Sequence, residues 1–268
     1  MARRLAPRSN GFALPFLADW RAMESARRDF FFRNRRWFLL ALFVLVFFGM
    51  GFVSAPVGER LAHFFASHVP GTSLALWRHA AYAVSAALVA LGAFWRTWGT
   101  SYLTTSVVQD RQMHTDRLLA DGPYRYSRNP LYFGNILFSI GIGMLLVPIA
   151  CLVLIIGMWI LVRLFIRDEE AGLEATKAES YRAYRAAVPR LFPAFRARIP
   201  AAGARPRWLQ GFCGEALLWA LAVAETGMAV TLDPAWLHDR LLWAFVIALG
   251  LYLWARSSTR KPAPGNTA

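Results

Sequence analysis

The 268-residue chain is 57% hydrophobic and only 17% charged, with a mean hydropathy of +0.36. That balance excludes disorder and sits below the charged fraction of about a quarter usual in soluble domains, so an integral membrane protein is expected. A net charge of +14 and a pI near 10.9 raise nucleic acid as a partner, and the placement of the basic residues decides that question.

In chain order, residues 1–36 form a basic tail in which Phe12, Leu14, Phe16, Leu17 and Trp20 interleave with arginines, the pattern of an element lying on lipid headgroups. Apolar runs follow at 37–57, 74–95, 131–146, 147–166, 212–232 and 236–255. A bilayer core takes about 20 residues per helix, so the expected fold is an all-α polytopic transmembrane bundle of about six spans. The third span is short and meets the fourth at Leu146-Val147-Pro148, which predicts a tight hairpin. Of the 30 lysines and arginines, only Arg60, Arg78 and Arg240 fall in the alternate loops. The positive-inside rule then puts both termini in the cytoplasm. That topology accounts for the basic excess without nucleic acid, and contact with anionic membrane lipids is expected to contribute. The parts expected are the tail (1–36), two helices (37–95), a core of linker, hairpin and motif helix (96–195), a further hairpin (208–256) and a second tail (257–268). Lysine occurs only at 177 and 261 against 28 arginines, the bias of a GC-rich bacterial gene, which suggests an inner-membrane location. Cys151 and Cys213 lie in apolar runs, and the five histidines have no ligand spacing, so no metal is expected.

Chemistry concentrates in two segments at membrane ends. The first runs from Gly122-Pro123-Tyr124-Arg125 through Ser127-Arg128-Asn129-Pro130-Leu131-Tyr132 to Gly134. Gly122-Pro123 marks a turn, and Asn129 before Pro130 reads as an N-cap followed by proline at the first helical position. A helix start flanked by Arg125 and Arg128 is an anion site, although aromatic and basic residues also anchor helices at interfaces. In the second segment Asp168 reads as the N-cap of a separate amphipathic helix, with Glu169 and Glu170 in its first turn. Leu173, Lys177, Tyr181, Tyr184 and Val188 follow on one face until Val188-Pro189 ends it. Together the segments suit a zwitterionic cofactor such as S-adenosylmethionine, whose carboxylate, ammonium and sulfonium call for an anion site, acids and aromatic faces, although a dinucleotide phosphate would also suit the arginines. No GxGxxG is present.

These two motifs, Gly122 to Gly134 and Glu169-Glu170-Ala171-Gly172-Leu173 with Tyr181 to Pro193, resemble the isoprenylcysteine carboxyl methyltransferase and phospholipid methyltransferase superfamily over residues 90–195. The resemblance implies a transmembrane methyltransferase that takes S-adenosylmethionine from the cytoplasm and a lipophilic acceptor from the bilayer. Carried over position by position, Gln109, Leu118, Leu119, Tyr124, Asn129, Pro130, Leu131, Tyr132 and Glu169 are the expected cofactor-binding residues. Asn129 stands where the family often has histidine, Asp116 where isoprenylcysteine enzymes tend to have another, and Lys177-Ala178 where an aromatic-glycine pair is usual. The acceptor-contacting arginine is matched best by Arg167, then by Arg163.

The expected reaction is in-line transfer of the sulfonium methyl to a carboxylate, amine or thiol. Arg167 or Arg163 would orient a carboxylate, and Glu169 or Glu170 would act as base for an ammonium or thiol. Arg163, Arg167 and Glu170 are the candidate catalytic residues. Arg167-Asp168-Glu169 also carries a faint likeness to NADPH-dependent sterol reductases. A non-catalytic transport or accessory protein would place polar residues at mid-membrane; most spans are apolar throughout, and the exceptions, Glu215 and Glu225 in the fifth, would mark a proton or substrate path or sit near span ends.

Overall fold

Small residues let one long helix serve as the axis on which the others pack. The computed structural model describes residues 30, 34–35, 37–46, 55–103, 121–233, 246 and 250, without the side chains of 176–178. Its regular elements are helices: α1 (Trp37–Val46), α2 (Val57–His68), α3 (Leu74–Tyr102), α4 (Pro130–Gly143), α5 (Pro148–Ala187), α6 (Trp208–Gly214) and α7 (Ala216–Thr231), with a 3-10 turn at Gly122–Arg125. No strand occurs among the described residues.

The axis is α3, against which α2, α4, α6 and α7 all pack. Ser73 caps its start, its hydroxyl accepting from Leu76 N at 3.2 Å. The crossing with α4 is close because both faces are small. A Cβ on Gly92 would come within 2.7 Å of the Gly134 carbonyl oxygen, and one on Gly141 within 2.8 Å of the Ser85 carbonyl oxygen. Small-residue contact of this kind is how helices associate in lipid, where apolar burial supplies no drive. Val89, Phe138, Ile142, Leu146, Val147, Leu154 and Ala222 fill the core between α3, the hairpin and α7. On α5, Ile149, Leu152, Ile156 and Ile160 are exposed at helical spacing, an apolar stripe.

The predicted hairpin is present. Gly143 ends α4 and Pro148 opens α5, and α4 has only 14 residues. Three N–H groups, of Met144, Leu145 and Leu146, bond back three residues into the end of α4. The start of α2 closes over this turn, Val57 N donating to Leu146 O and Gly58 N to Met144 O, both at 2.9 Å. Two sets of helix-end groups thereby satisfy each other.

Three expectations are revised, and a fourth, the number of spans, is met only in part. First, α5 runs 40 residues without a break, so Asp168 lies inside a helix and caps nothing. Second, the expected second span extends to Tyr102, and α2 occupies the loop before it. Third, the expected fifth span is α6 and α7, bent by 70° at Glu215. Fourth, the described residues contain two helices long and apolar enough to cross a membrane, α3 and the Pro148–Ala175 part of α5, or three if α6 and α7 count as one. Most of the expected sixth span and the later part of the first lie outside the described residues.

Candidate active site

The two sequence motifs meet because the segment after α5 folds back beside the turn before α4. Gly122 begins that turn with φ of 56°, and a Cβ there would overlap the Tyr102 ring, so both conformation and space require glycine. Asp121, buried just before it, accepts from Ala202 N at 2.8 Å and Ala204 N at 2.7 Å. Backbone bonds then lace the strands of chain together: Arg128 N to Pro189 O, Ala194 N to Tyr126 O and Arg198 N to Arg125 O, each 2.9 Å. Ser127 Oγ donates to Leu191 O at 2.8 Å. Tyr184 OH donates to Tyr124 O at 2.8 Å, and Leu173, Tyr181, Tyr184 and Val188 pack with Tyr124 and Ile199. The tyrosine face read from the sequence is thus the seam between the motifs.

Asn129 stands at the N-cap of α4, but its side chain does not cap. Its Nδ2 donates instead to Arg190 O at 2.8 Å. Pro130 is buried, Leu131 packs where a Cβ on Gly99 would touch it, and Tyr132 points from the first turn of α4 toward α5. The Tyr132 hydroxyl donates to Glu169 Oε1 at 3.1 Å, and the Arg35 guanidinium bonds to the same oxygen.

Glu170, one residue on, faces a different group. Arg128 Nη2 lies 3.2 Å from its Oε1 and Arg190 Nε 3.0 Å from its Oε2, with Arg128 and Glu170 both buried. Burial, and next the Glu170 charge, push the neighbouring Tyr181 hydroxyl up to about 12. Arg167 is more than half exposed and its nearest charge is Asp168 at 3.5 Å. Arg163 lies over the Trp159 ring, 5.6 Å from its centre.

Of the predicted residues, the structure brings together Tyr132 and Glu169, while Asn129 bonds to Arg190, Leu131 packs toward Gly99 of α3 and Tyr124 packs with Tyr181 and Tyr184. Arg163 and Arg167 form no bond to Tyr132 or Glu169 among the described residues. Gln109, Leu118 and Leu119 lie outside the described residues. Sequence reasoning passed over Arg35, Arg190 and Asp121. Proximity to the motif could have flagged the last two, but nothing local singles out Arg35 among the many arginines of the tail.

Further along the hairpin, Ile136 and Ser139 of α4 with Ile155, Ile156, Met158 and Trp159 of α5 line an almost wholly apolar crevice of about 180 Å³. The two acids near the C-terminal helices are both buried and partnered. Glu215, at the α6–α7 break, takes Arg96 Nε at 2.8 Å and Nη2 at 2.9 Å, and Thr100 Oγ1 at 2.8 Å, while Arg96 Nη1 donates to Asn135 Oδ1 at 2.6 Å. Glu225 Oε2 is 2.6 Å from the Ser85 hydroxyl, which also reaches the Gly141 carbonyl at 2.9 Å. No metal-binding group of three or more His, Cys, Asp or Glu side chains occurs among the described residues.

The sequence model of the Isoprenylcysteine carboxyl methyltransferase (ICMT) family matches residues 74–175, which runs from the start of α3 through the hairpin to just past Glu169 and Glu170. No curated protein and no solved structure matches the chain. The family match covers the motif that carries Tyr132 and the Glu169–Leu173 part of the second motif, and the apolar helices fit a membrane protein. These findings support the isoprenylcysteine carboxyl methyltransferase family, the one the motifs resemble, and with it a membrane methyltransferase.

Proposed function

We propose that the chain transfers a methyl group from S-adenosylmethionine to a lipophilic acceptor at the cytoplasmic face of the membrane. The observation that carries this reading is the Tyr132–Glu169 contact, which joins the two motifs at the end of the hairpin. The donor set fits the cofactor: a carboxylate and an aromatic ring suit the ammonium and sulfonium. Tyr132 and Glu169 would hold it, together with the other residues that the resemblance assigns to the cofactor, Tyr124, Asn129, Pro130 and Leu131 beside the start of α4 and Gln109, Leu118 and Leu119 from the linker. When bound, S-adenosylmethionine supplies an electrophilic methyl on sulfur.

The chain's own residues then have to orient the acceptor and exclude water, and orientation alone can be worth about 7–11 kcal/mol. Packing of Tyr132 among Met158, Val162, Phe165 and Ile166 keeps water from one side of the contact. The apolar crevice between α4 and α5 offers a place for the acceptor's hydrocarbon. A carboxylate acceptor suits the geometry better than an amine or thiol. Of the two bases those could use, Glu169 is given to the cofactor and Glu170 is held by two guanidiniums, whereas a carboxylate needs only an orienting cation, for which exposed Arg167 is the first candidate and Arg163 the second. Glu170 in this reading is a positioning residue.

Calorimetry on the detergent-purified protein tests the proposal with S-adenosylmethionine, S-adenosylhomocysteine and NADPH. Binding of the first two, lost in Glu169→Ala and Tyr132→Ala, is expected. Binding of NADPH alone would move the chain to the reductases.

A further inference from the structure

The anion site expected at the start of α4 is not assembled. Its two flanking arginines face elsewhere, Arg128 toward Glu170 and Arg125 Nε toward Ile199 O at 2.9 Å, and Asn129 donates to Arg190 O. Among the described residues, the nearest cation to Glu169 comes instead from far along the chain. Arg35 lies 134 residues away in sequence and outside the family match, yet its guanidinium bonds to Glu169 Oε1. The pair is open to solvent, with side-chain exposures of 40% and 26%, and Tyr132 OH flanks it.

An ion pair this exposed contributes little stability, so its position beside the motif contact asks for another account. A guanidinium next to a carboxylate is the charge complement of an α-amino acid, which carries an ammonium and a carboxylate on one carbon. We propose that Arg35 and Glu169 together recognise the amino-acid end of the methyl donor, Glu169 accepting from the ammonium and Arg35 donating to the carboxylate. A zwitterion inserted between them replaces one ion pair by two. The planar guanidinium fork suits a carboxylate in a way an ammonium does not. This inference rests on the methyltransferase reading and adds to it a cofactor contact from the N-terminal segment.

The test compares S-adenosylhomocysteine with its decarboxylated analogue by calorimetry, in the full-length protein and in Arg35→Gln and Arg35→Lys. The unaltered protein should prefer the carboxylate-bearing ligand. Arg35→Gln should weaken that ligand by about 10- to 100-fold, the range of a charged hydrogen bond, and leave the analogue within about threefold, which also shows that the variant is folded. Arg35→Lys, which keeps the charge and loses the fork, should fall between. Equal weakening of both ligands, no change, or tighter binding in Arg35→Gln would overturn the role of Arg35 while leaving the methyltransferase reading intact. Failure of the unaltered protein to bind either ligand would overturn both.

Discussion

Two adjacent acids on α5 face different partners because an α-helix turns about 100° per residue. Glu169 meets Tyr132 and Arg35, and Glu170 meets Arg128 and Arg190. The sequence showed the pair but not the division of labour, since the residues that divide it, Arg35 and Arg190, lie on other segments. A third acid allows a prediction at this scale. Glu59 of α2 takes Arg78 Nε at 2.8 Å and has His63 at 3.1 Å. The Arg78 hydrogen bond holds its carboxyl below the ordinary value of 4.5. The folded state therefore takes up a proton there less readily than the unfolded one. The resulting stability is present above the unfolded value and is lost as pH falls through the folded one. Thermal unfolding in detergent should show the unaltered protein losing stability below about pH 5 more steeply than Glu59→Gln; parallel curves would refute the contribution.

At the scale of elements, the hairpin, its shortness and the end of the motif helix at Val188-Pro189 were legible, because proline and apolar run length mark them directly. The junction at Asp168 was misread for a physical reason. The shift from apolar to charged residues looks like a boundary, but Arg, Glu and Leu are all good helix formers and no proline intervenes before Pro189, so the helix continues across the change of solvent. The break at Glu215 was invisible for the opposite reason. No proline marks it, and the groups that receive the carboxylate, Arg96 and Thr100, sit more than a hundred residues away. The α3–α4 crossing yields a prediction. Gly92→Ala places a methyl against backbone atoms of α4, at 2.7 and 2.8 Å, which no side-chain rotation relieves. It should cost about 1–3 kcal/mol. Gly172→Ala, where an added Cβ has no described atom within 4 Å, should be neutral or stabilising by up to about 1 kcal/mol, as for glycine removed from a helix interior. Chemical or thermal unfolding in one detergent compares the two variants, and equal effects would contradict the crossing.

Across the whole molecule, α3 ties together parts that the family match covers and parts that it does not. Residues 74–175 include α3, α4 and the acids of α5, while α6 and α7 lie beyond. They are joined to that core by the Arg96–Glu215 pair, whose carboxylate is buried and whose guanidinium is part-exposed, and by Trp219 Nε1 donating to Thr97 Oγ1 at 2.8 Å. Removing Arg96 strands the buried Glu215 carboxylate, at a cost of about 3–5 kcal/mol, so the C-terminal helices are part of the folded unit. One feature of α5 reaches further. Because it is a single uninterrupted helix, it carries both the crevice residues up to Trp159 and the acid at Glu169 on one rigid rod. Ten residues at about 1.5 Å each fix that interval near 15 Å. On the methyltransferase reading proposed above, the rod would be a gauge for acceptor length. In a series of acceptors with graded hydrocarbon anchors, kcat/KM measured with a labelled methyl donor should climb until the anchor spans about 15 Å and level off beyond it. A flat response would mean that the crevice holds no part of the acceptor, whereas a step at that length would show a membrane-embedded helix measuring its substrate.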